Sequence, residues 1–254
     1  MTNPPPSHPD VEIVETTTVA ARHLRIDTFR FRHRLFSGEW SAERSYDVLR
    51  RGQAVAIVLY DPDRDAVVLV EQFRLPPLLA GSSPWQLEAA AGLIDTDERP
   101  EAVAIRETRE ETGLSLTGEP ILIQRYLSSS GNSDESVVLF CGRVDSAAAG
   151  GVHGLPEEHE DIRVVVKTLG EIEALLDAGA IESGHTLIGL HWLLRHRERL
   201  RGLWAVEEAP HPSPLPASGA REGPLAHQGC ATRQAHARVR REGREGEGRQ
   251  PIGI

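Results

Sequence analysis

A chain of 254 residues, 39% hydrophobic, 26% charged and only 5% aromatic, has the make-up of an ordinary globular protein and can bury a core as one large domain or two small ones. Its 38 acidic and 28 basic side chains leave a net charge of -10, which excludes a general nucleic-acid binder, so an anionic ligand needs a metal ion or a few placed arginines. Two distant cysteines, Cys141 and Cys230, no apolar run near the ~20 residues of a membrane span, and a start without a basic or apolar signal core point to a reducing cytoplasm and no membrane association.

After a Pro-rich start, residues 11–35 (VEIVETTTVAARHLRIDTFRFRHRL) alternate apolar and polar side chains, which predicts extended antiparallel strands. A turn at Ser37 and Gly38 leads into another extended segment ending near Arg50. Gln53 to Tyr60 (QAVAIVLY) and Ala66 to Phe73 (AVVLVEQF), joined by the turn-rich DPDRD, are the strongest strand signals. Pro76, Pro77 and the stretch from Gly81 to Pro84 predict a long loop, after which Trp85 to Ala91 approaches a polar helix. Further strands are expected at Ile121 to Tyr126, Ser136 to Val144 and Ile162 to Thr168, separated by the loops Ser128 to Glu135 and Gly150 to Asp161. Two helices follow, Leu169 to Ala178 and about Thr186 to Leu203, the second with Leu187, Leu190, Leu193 and Leu194 on one stripe. Strands in the middle with flanking helices predict an α+β class with a mixed sheet.

From Val206 to Ile254 there are 7 Gly, 6 Pro, no aromatic residue and only 6 Leu, Ile or Val. So little apolar surface cannot offset the entropy of ordering, so 206–254 is expected to be a disordered low-complexity tail. Residues 1–205 then hold 32 acidic and 21 basic side chains and carry all of the net acidity.

The stretch Gly92 to Leu114 (GLIDTDERPEAVAIRETREETGL) carries the chemistry. Pro100 suits a first helical turn and Gly113 the position past a helix end, which predicts a helix of about 13 residues. On it Glu107, Glu110 and Glu111 stand at i, i+3 and i+4 and share one face. Like charges so placed repel, by a few tenths of a kcal/mol per pair. Such a face is either a solvated acidic patch or a place for a hard divalent cation such as Mg²⁺, which takes oxygen ligands.

The fixed positions Gly92, Glu98, Arg106, Glu107, Glu110, Glu111, Gly113 and Leu114 resemble the Nudix box of hydrolases that cleave a nucleoside diphosphate linked to another moiety. Thr108 stands where that family usually has an aliphatic residue at a packing position. With RFRHRLFSG, RRGQAVAIVLYDPDRDAVVLVEQFR, PWQLEAAAGLID, GVHGLPEEHEDIRV and HWLLRHRERLRGLWA, the chain from about 10 to 205 is similar to the bacterial ADP-ribose pyrophosphatase subfamily. The tail has no counterpart. The resemblance implies the Nudix fold, a mixed β-sheet sandwiched between helices, with an N-terminal antiparallel β region over 1–50 and the hydrolase domain over 51–205. It also implies Mg²⁺ as cofactor with Mn²⁺ as the alternate, a homodimer with exchanged N-terminal strands, and cleavage of ADP-ribose to AMP and ribose 5-phosphate.

Carried over residue by residue, the resemblance makes Glu107, Glu111, Glu160 and the backbone carbonyl of Ala91 metal ligands, and Glu158 the general base. Glu110 and Arg106 complete the catalytic group, Arg106 by orienting the helix carboxylates, and Glu98 is structural or a peripheral ligand. Arg74 matches a phosphate-binding arginine, whose fork suits a diphosphate, and Arg51 a substrate contact beside the dimer interface. Leu93, Ser129, Ser130, Gly131 and Glu135 fall on further substrate-binding positions. His23 and Leu24 occupy strand positions where relatives stack adenine on aromatic rings. Tyr46, followed by Asp47, stands for an arginine supplied by the partner subunit, and Ser130 for a loop proline. These departures leave open another nucleoside diphosphate sugar, such as GDP-mannose. A sensor without catalysis is the reading of a different class, and it needs a damaged box. His185, His191 and His196 show no metal spacing and read as helix-surface or core residues.

Overall fold

Alternation of apolar and polar residues makes the N-terminal segment a three-stranded antiparallel sheet of β1 (Val11–Ala21), β2 (Arg25–His33) and β3 (Arg44–Arg50), in that order. The structure is a computed structural model describing residues 7–22, 24–94 and 97–207. His23 lies outside the described residues. β1 is exposed along its whole length, and cross-strand ion pairs line the sheet, with Arg30 set between Glu15 and Glu43 at 2.8 Å each. Asp27 is its one fully buried acid, and it accepts from Thr18, Arg25 and Arg50.

The rest of the described chain runs β4 (Gln53–Asp61), β5 (Ala66–Phe73), α1 (Leu75–Leu79), β6 (Trp85–Glu88), β7 (Ala90–Leu93) and α2 (Pro100–Thr112). It continues through β8 (Ile121–Leu127), β9 (Ser136–Arg143), β10 (Val152–His153), β11 (Ile162–Thr168), α3 (Leu169–Asp177) and α4 (Gly184–Glu207). Strands β10-β11-β5-β4-β9-β8 form one sheet, with β6 added beside β5 and β7 beside β4. β4 and β9 run parallel, from Gln53↔Ser136 to Tyr60↔Arg143, and the other pairs are antiparallel, so the sheet is mixed.

Both faces of the sheet are covered, so its central strands are apolar on both sides. Along β4, Val55, Ile57 and Leu59 face a core shared with Val103 and Ala104 of α2. Val58 and Tyr60 between them face a second core, built with Leu169 and Ile172 of α3 and Leu190, Leu193, Leu200 and Trp204 of α4. The period-2 alternation thus divides one strand between two helical layers. At ~25 cal/mol per Å² of apolar surface, a fully buried Val or Leu contributes roughly 1.5–3 kcal/mol, and these two cores contain most such residues.

Four local differences separate this architecture from the sequence expectation. The Pro76–Pro77 stretch forms the short helix α1, because a proline in the first turn forfeits no intrahelical bond. Residues Trp85 to Leu93 form two short strands that pair with β5 and β4 respectively. The loop from Gly150 to Asp161 contains β10 and a short 3₁₀ turn, Pro156–Glu158. The last helix begins two residues before the expected Thr186 and runs on to Glu207. The chain divides into two units, Met1–Ala209 and Pro210–Ile254; of the expected tail, residues 208–254 lie outside the described residues.

α4 approaches β4 closely at Gly189, where an added Cβ would land on Cγ2 of the buried Val58. A β-branched side chain in a central strand has no free rotamer into which to retreat. Gly202 of the same helix has nothing within 4 Å of that position. Gly189→Ala is therefore expected to destabilise by roughly 1–3 kcal/mol through overpacking. Gly202→Ala should stabilise by up to ~1 kcal/mol through helix propensity. Urea unfolding of the two variants measures both; equal and stabilising effects would contradict the packing.

Candidate active site

Helix α2 starts at Pro100 and ends where Gly113 takes φ 70°, its N–H bonded to the carbonyl of Arg109, so the expected stops set its 13 residues. Its inner side carries Val103 and Ala104 into the core together with Thr108, which is fully buried. The Thr108 hydroxyl donates to the carbonyl of Ala104 at 2.7 Å, so a polar residue occupies an apolar packing position without an unmet hydrogen bond.

Glu107 and Glu111 come off the same helix and are buried against β7. Glu107 lies directly over Gly92, where any side chain would collide with its carboxylate. Glu111, 2% exposed, accepts from the N–H of Ala91 at 3.1 Å. Burial pushes the Glu107 carboxyl up to about 7, against the nearby Arg106 and with Glu110 and Glu160 adding to the rise. Burial pushes Glu111 up to about 8, opposed by its bond to Ala91 and reinforced by Glu107 and Glu160. Glu110 is turned away and pairs with Arg106 at 2.8 Å, and the same guanidinium reaches Glu107 at 2.8 Å and Glu98 at 3.6 Å.

The loop before β11 brings Glu160 to this place. Gly154, at φ 99°, passes so close to Glu160 that a side chain there would strike it. Its N–H reaches the carbonyl of Glu110 at 3.3 Å, which ties the loop to the end of α2. Glu160 accepts from the N–H of Leu155 at 3.0 Å. Glu158 ends the 3₁₀ turn two residues earlier, and its side chain lies outside the described residues.

These elements border a cavity of about 540 Å³, within the 300–1,000 Å³ of small-molecule sites. Among the expected site residues Arg51, Arg74, Ala91, Leu93, Glu111, Glu135 and Glu160 line it. Glu107 backs its wall through Gly92. Ser129, Ser130 and Gly131 sit exposed on the β8–β9 loop, and Leu24, Tyr46 and Asp47 sit exposed in or beside the N-terminal sheet, none of them in the cavity lining. Tyr46 instead meets Phe31 edge-on at 6.3 Å, and Asp47 accepts from the Thr28 hydroxyl.

Three residues, Tyr126, Ser128 and Asp134, escaped the sequence reading, and His185, expected on a helix surface or in the core, borders the cavity. Tyr126 and Ser128 also line it. Asp134 accepts from Arg50 at 2.6 Å and from the N–H of Arg51 at 2.7 Å, which fastens the end of β3 to the β8–β9 loop. No periodic or spacing signal marks them, because Tyr126, Ser128 and His185 reach the cavity from β8, its loop and α4, and Asp134 acts through a contact distant in the chain.

Among the described residues, no three His, Cys, Asp or Glu side chains converge closely enough to hold a metal ion. Glu107, Glu111 and Glu160 are each turned to a donor of the protein itself: Arg106, the Ala91 N–H and the Leu155 N–H. The donor set still fits a hard divalent cation. The two buried carboxyls stay raised in spite of Arg106 and Arg74, with a third acting on both, and hard cations select oxygen donors.

A NUDIX domain matches residues 50–186, more than half of the chain. The chain belongs to the Nudix family. It is similar to the ADP-ribose pyrophosphatase of Escherichia coli K12, with 39% identity over 197 residues, 77% of this chain and 93% of the relative. It is also similar to the GDP-mannose pyrophosphatase of Citrobacter koseri, with 34% identity over 148 residues, 58% of this chain and 76% of that one. A crystal structure of an ADP compounds hydrolase shares the fold at a TM-score of 0.58, with 20% identity and coverage of 78% of this chain and 98% of that one. The Nudix sheet and its helical layers are those described above.

Because both helix carboxyls ionise less readily in the Nudix fold than in the unfolded chain, the folded state holds more protons between pH 4.5 and about 8. Stability present below 4.5 is lost as pH rises through about 7 and about 8. Metal-free protein should therefore melt at a lower temperature at about pH 8.5 than at about pH 5.5, and Glu111→Gln should flatten that slope. A melting temperature that rises over the interval, or an unchanged slope in Glu111→Gln, would contradict the assignment.

Proposed function

We propose that this protein is a hydrolase that cleaves the diphosphate of ADP-ribose to AMP and ribose 5-phosphate, with Mg²⁺ as cofactor and Mn²⁺ as the alternate. The observation that carries the reading is the burial of Glu107 and Glu111 in the wall of a cavity that also holds Glu160, Arg51 and Arg74. The similarity to the ADP-ribose pyrophosphatase of E. coli over 93% of that relative supports the substrate.

In this reading Glu107, Glu111, Glu160 and the carbonyl of Ala91 hold the metal. When bound, it supplies polarisation of the phosphoryl oxygens and acidifies a water. Arg74 and Arg51 bind the substrate, with Leu93 and Glu135 beside them in the cavity, and Ser129, Ser130 and Gly131 complete the contacts from the loop rim. Water attacks phosphorus, the bond from phosphorus to the bridging oxygen breaks, and Glu158 accepts the proton as general base. Arg106 keeps Glu107 and Glu110 in position through its ion pairs.

A homodimer with exchanged N-terminal strands completes the site. The 11-residue edge strand β1 is exposed throughout, with Val14 and Val19 among its uncovered apolar side chains, and so offers a free edge for a partner. In this dimer Leu24, Tyr46 and Asp47 contact the substrate held in the partner's cavity. We take residues 1–50 as the dimerisation region, 51–205 as the hydrolase domain and 206–254 as a tail. No helix among the described residues is long and apolar enough to cross a membrane; we infer a cytoplasmic setting with neither nucleic acid nor membrane as partner.

A second substrate reading, GDP-mannose or another nucleoside diphosphate sugar, is favoured by Ser130, Leu24 and Tyr46, which depart from the ADP-ribose pattern, and by the likeness to the C. koseri protein. Purified protein with Mg²⁺ should release AMP from ADP-ribose faster than GMP from GDP-mannose, and the reverse order overturns the choice. Glu111→Gln should lower kcat by ~10² or more through loss of a metal ligand. Turnover near normal in that variant would remove Glu111 from the metal site. Chelation should abolish activity, and Mg²⁺ or Mn²⁺ should restore it.

A further inference from the structure

One part of the cavity lining has no task in the chemistry above. It is the first turn of α4, where Gly184 and His185 meet the space that Arg74 and Glu135 also border. Burial holds His185 below its ordinary value, with Arg74 lowering it further and Glu88 and Glu135 opposing, so the ring stands within range of the cavity's charges.

A chain of hydrogen bonds runs from the backbone to that ring. The N–H of Ala89, which can only donate, gives its hydrogen to Thr186 Oγ1 at 2.9 Å. The Thr186 hydroxyl then donates to Ser183 Oγ at 3.1 Å. This leaves the Ser183 hydrogen for His185, whose Nε2 and Nδ1 lie 3.1 Å and 3.3 Å from Ser183 Oγ. The ring nitrogen that accepts it must be the bare one, and in a neutral imidazole the other carries a hydrogen. Whichever nitrogen accepts it, the ring keeps one N–H, and His185 borders the cavity beside Arg74. The relay starts from the backbone between β6 and β7, the same segment that leads into Ala91 and Gly92.

A donor facing a binding cavity calls for an acceptor, because a desolvated N–H left unmet is costly. Arg74 commits its Nε and Nη2 to Glu88 at 3.0 Å each. It keeps only part of its fork for a ligand, while a diphosphate brings several acceptor oxygens. We propose that His185 is a substrate-contacting residue that donates its ring N–H to a non-bridging oxygen of the diphosphate beside Arg74. This rests on the hydrolase reading above and adds a contact to it.

With Mg²⁺ and ADP-ribose, His185→Ala should raise KM about tenfold, the loss of one hydrogen bond to a charged acceptor. It should leave kcat within about twofold, because the contact holds substrate and transition state alike. His185→Gln keeps an N–H donor and should recover most of the lost KM, whereas His185→Phe fills the space without a donor and should behave as the alanine variant. If His185→Ala does not fold, the glutamine and phenylalanine variants decide between a donor and a merely space-filling ring. Competitive inhibition by ADP should weaken in step with KM, and inhibition by adenosine should not change. A KM within about twofold of wild type in the phenylalanine variant, or adenosine weakened as much as ADP, overturns the inference. Wild-type protein that releases no AMP from ADP-ribose defeats the hydrolase reading itself, whereas active wild type with unaffected variants defeats the His185 assignment alone.

Discussion

The seating of two carboxylates from α2 against strand β7 is the constraint around which the rest of this protein is built. Glu107 occupies the space that a side chain on Gly92 would need, and Glu111 is tied to the N–H of Ala91. Both depend on β7 pairing with β4 in the register Val55↔Gly92 and Ala56↔Ala91. β4 in turn is held between two cores by its alternating side chains. Burying acid without full compensation is unfavourable, so the sheet and helices must supply stability in excess of that cost.

The same seating explains how an acidic protein can hold an anion. Around the cavity its positive charge is set at three points. Arg106 knits Glu98, Glu107 and Glu110 together behind the cavity. Arg74 stands on Glu88 at one side of it, and Arg51 on Glu135 at another. Arg50 bridges Asp27 in the N-terminal sheet and Asp134 in the β8–β9 loop, so the small sheet is anchored beside Arg51. Asp27 is held below the usual carboxylate range, first by its bond to Arg25. Asp134 is held low despite its burial, by Arg50 and by the N–H groups of Arg51 and Gly52.

The legible parts of the fold were those with local causes. Strands β4 and β5 were readable because eight consecutive residues each, rich in Val, Leu and Ala, lie between turn signals, and α2 because Pro100 and Gly113 bracket it. The Pro76–Pro77 stretch was misread as loop, because the same proline chemistry suits a turn and a first helical turn equally. The strands at Trp85 to Glu88 and Ala90 to Leu93, four residues each, were too short to carry a periodic pattern. Of the site, the spacing of Glu107 and Glu111 on one helix could be read directly. Tyr126, Ser128, Asp134 and His185 could not, because they come together only when β8, its loop and α4 fold around the sheet.

By itself the sequence determined the helix that carries the acids, the strands that build the central sheet, and the family pattern that joins them to Glu160. These follow from intrinsic backbone preferences and from side-chain periodicity, which are properties of neighbouring residues. Tertiary structure alone decided that Glu107 and Glu111 are buried while Glu110 is turned to Arg106. It also decided that Arg74 spends part of its fork on Glu88, and that a relay from Ala89 orients His185. Burial and pKa depend on what is packed against a group, and here many of those neighbours come from other elements, β6, β7 and the loop before β11.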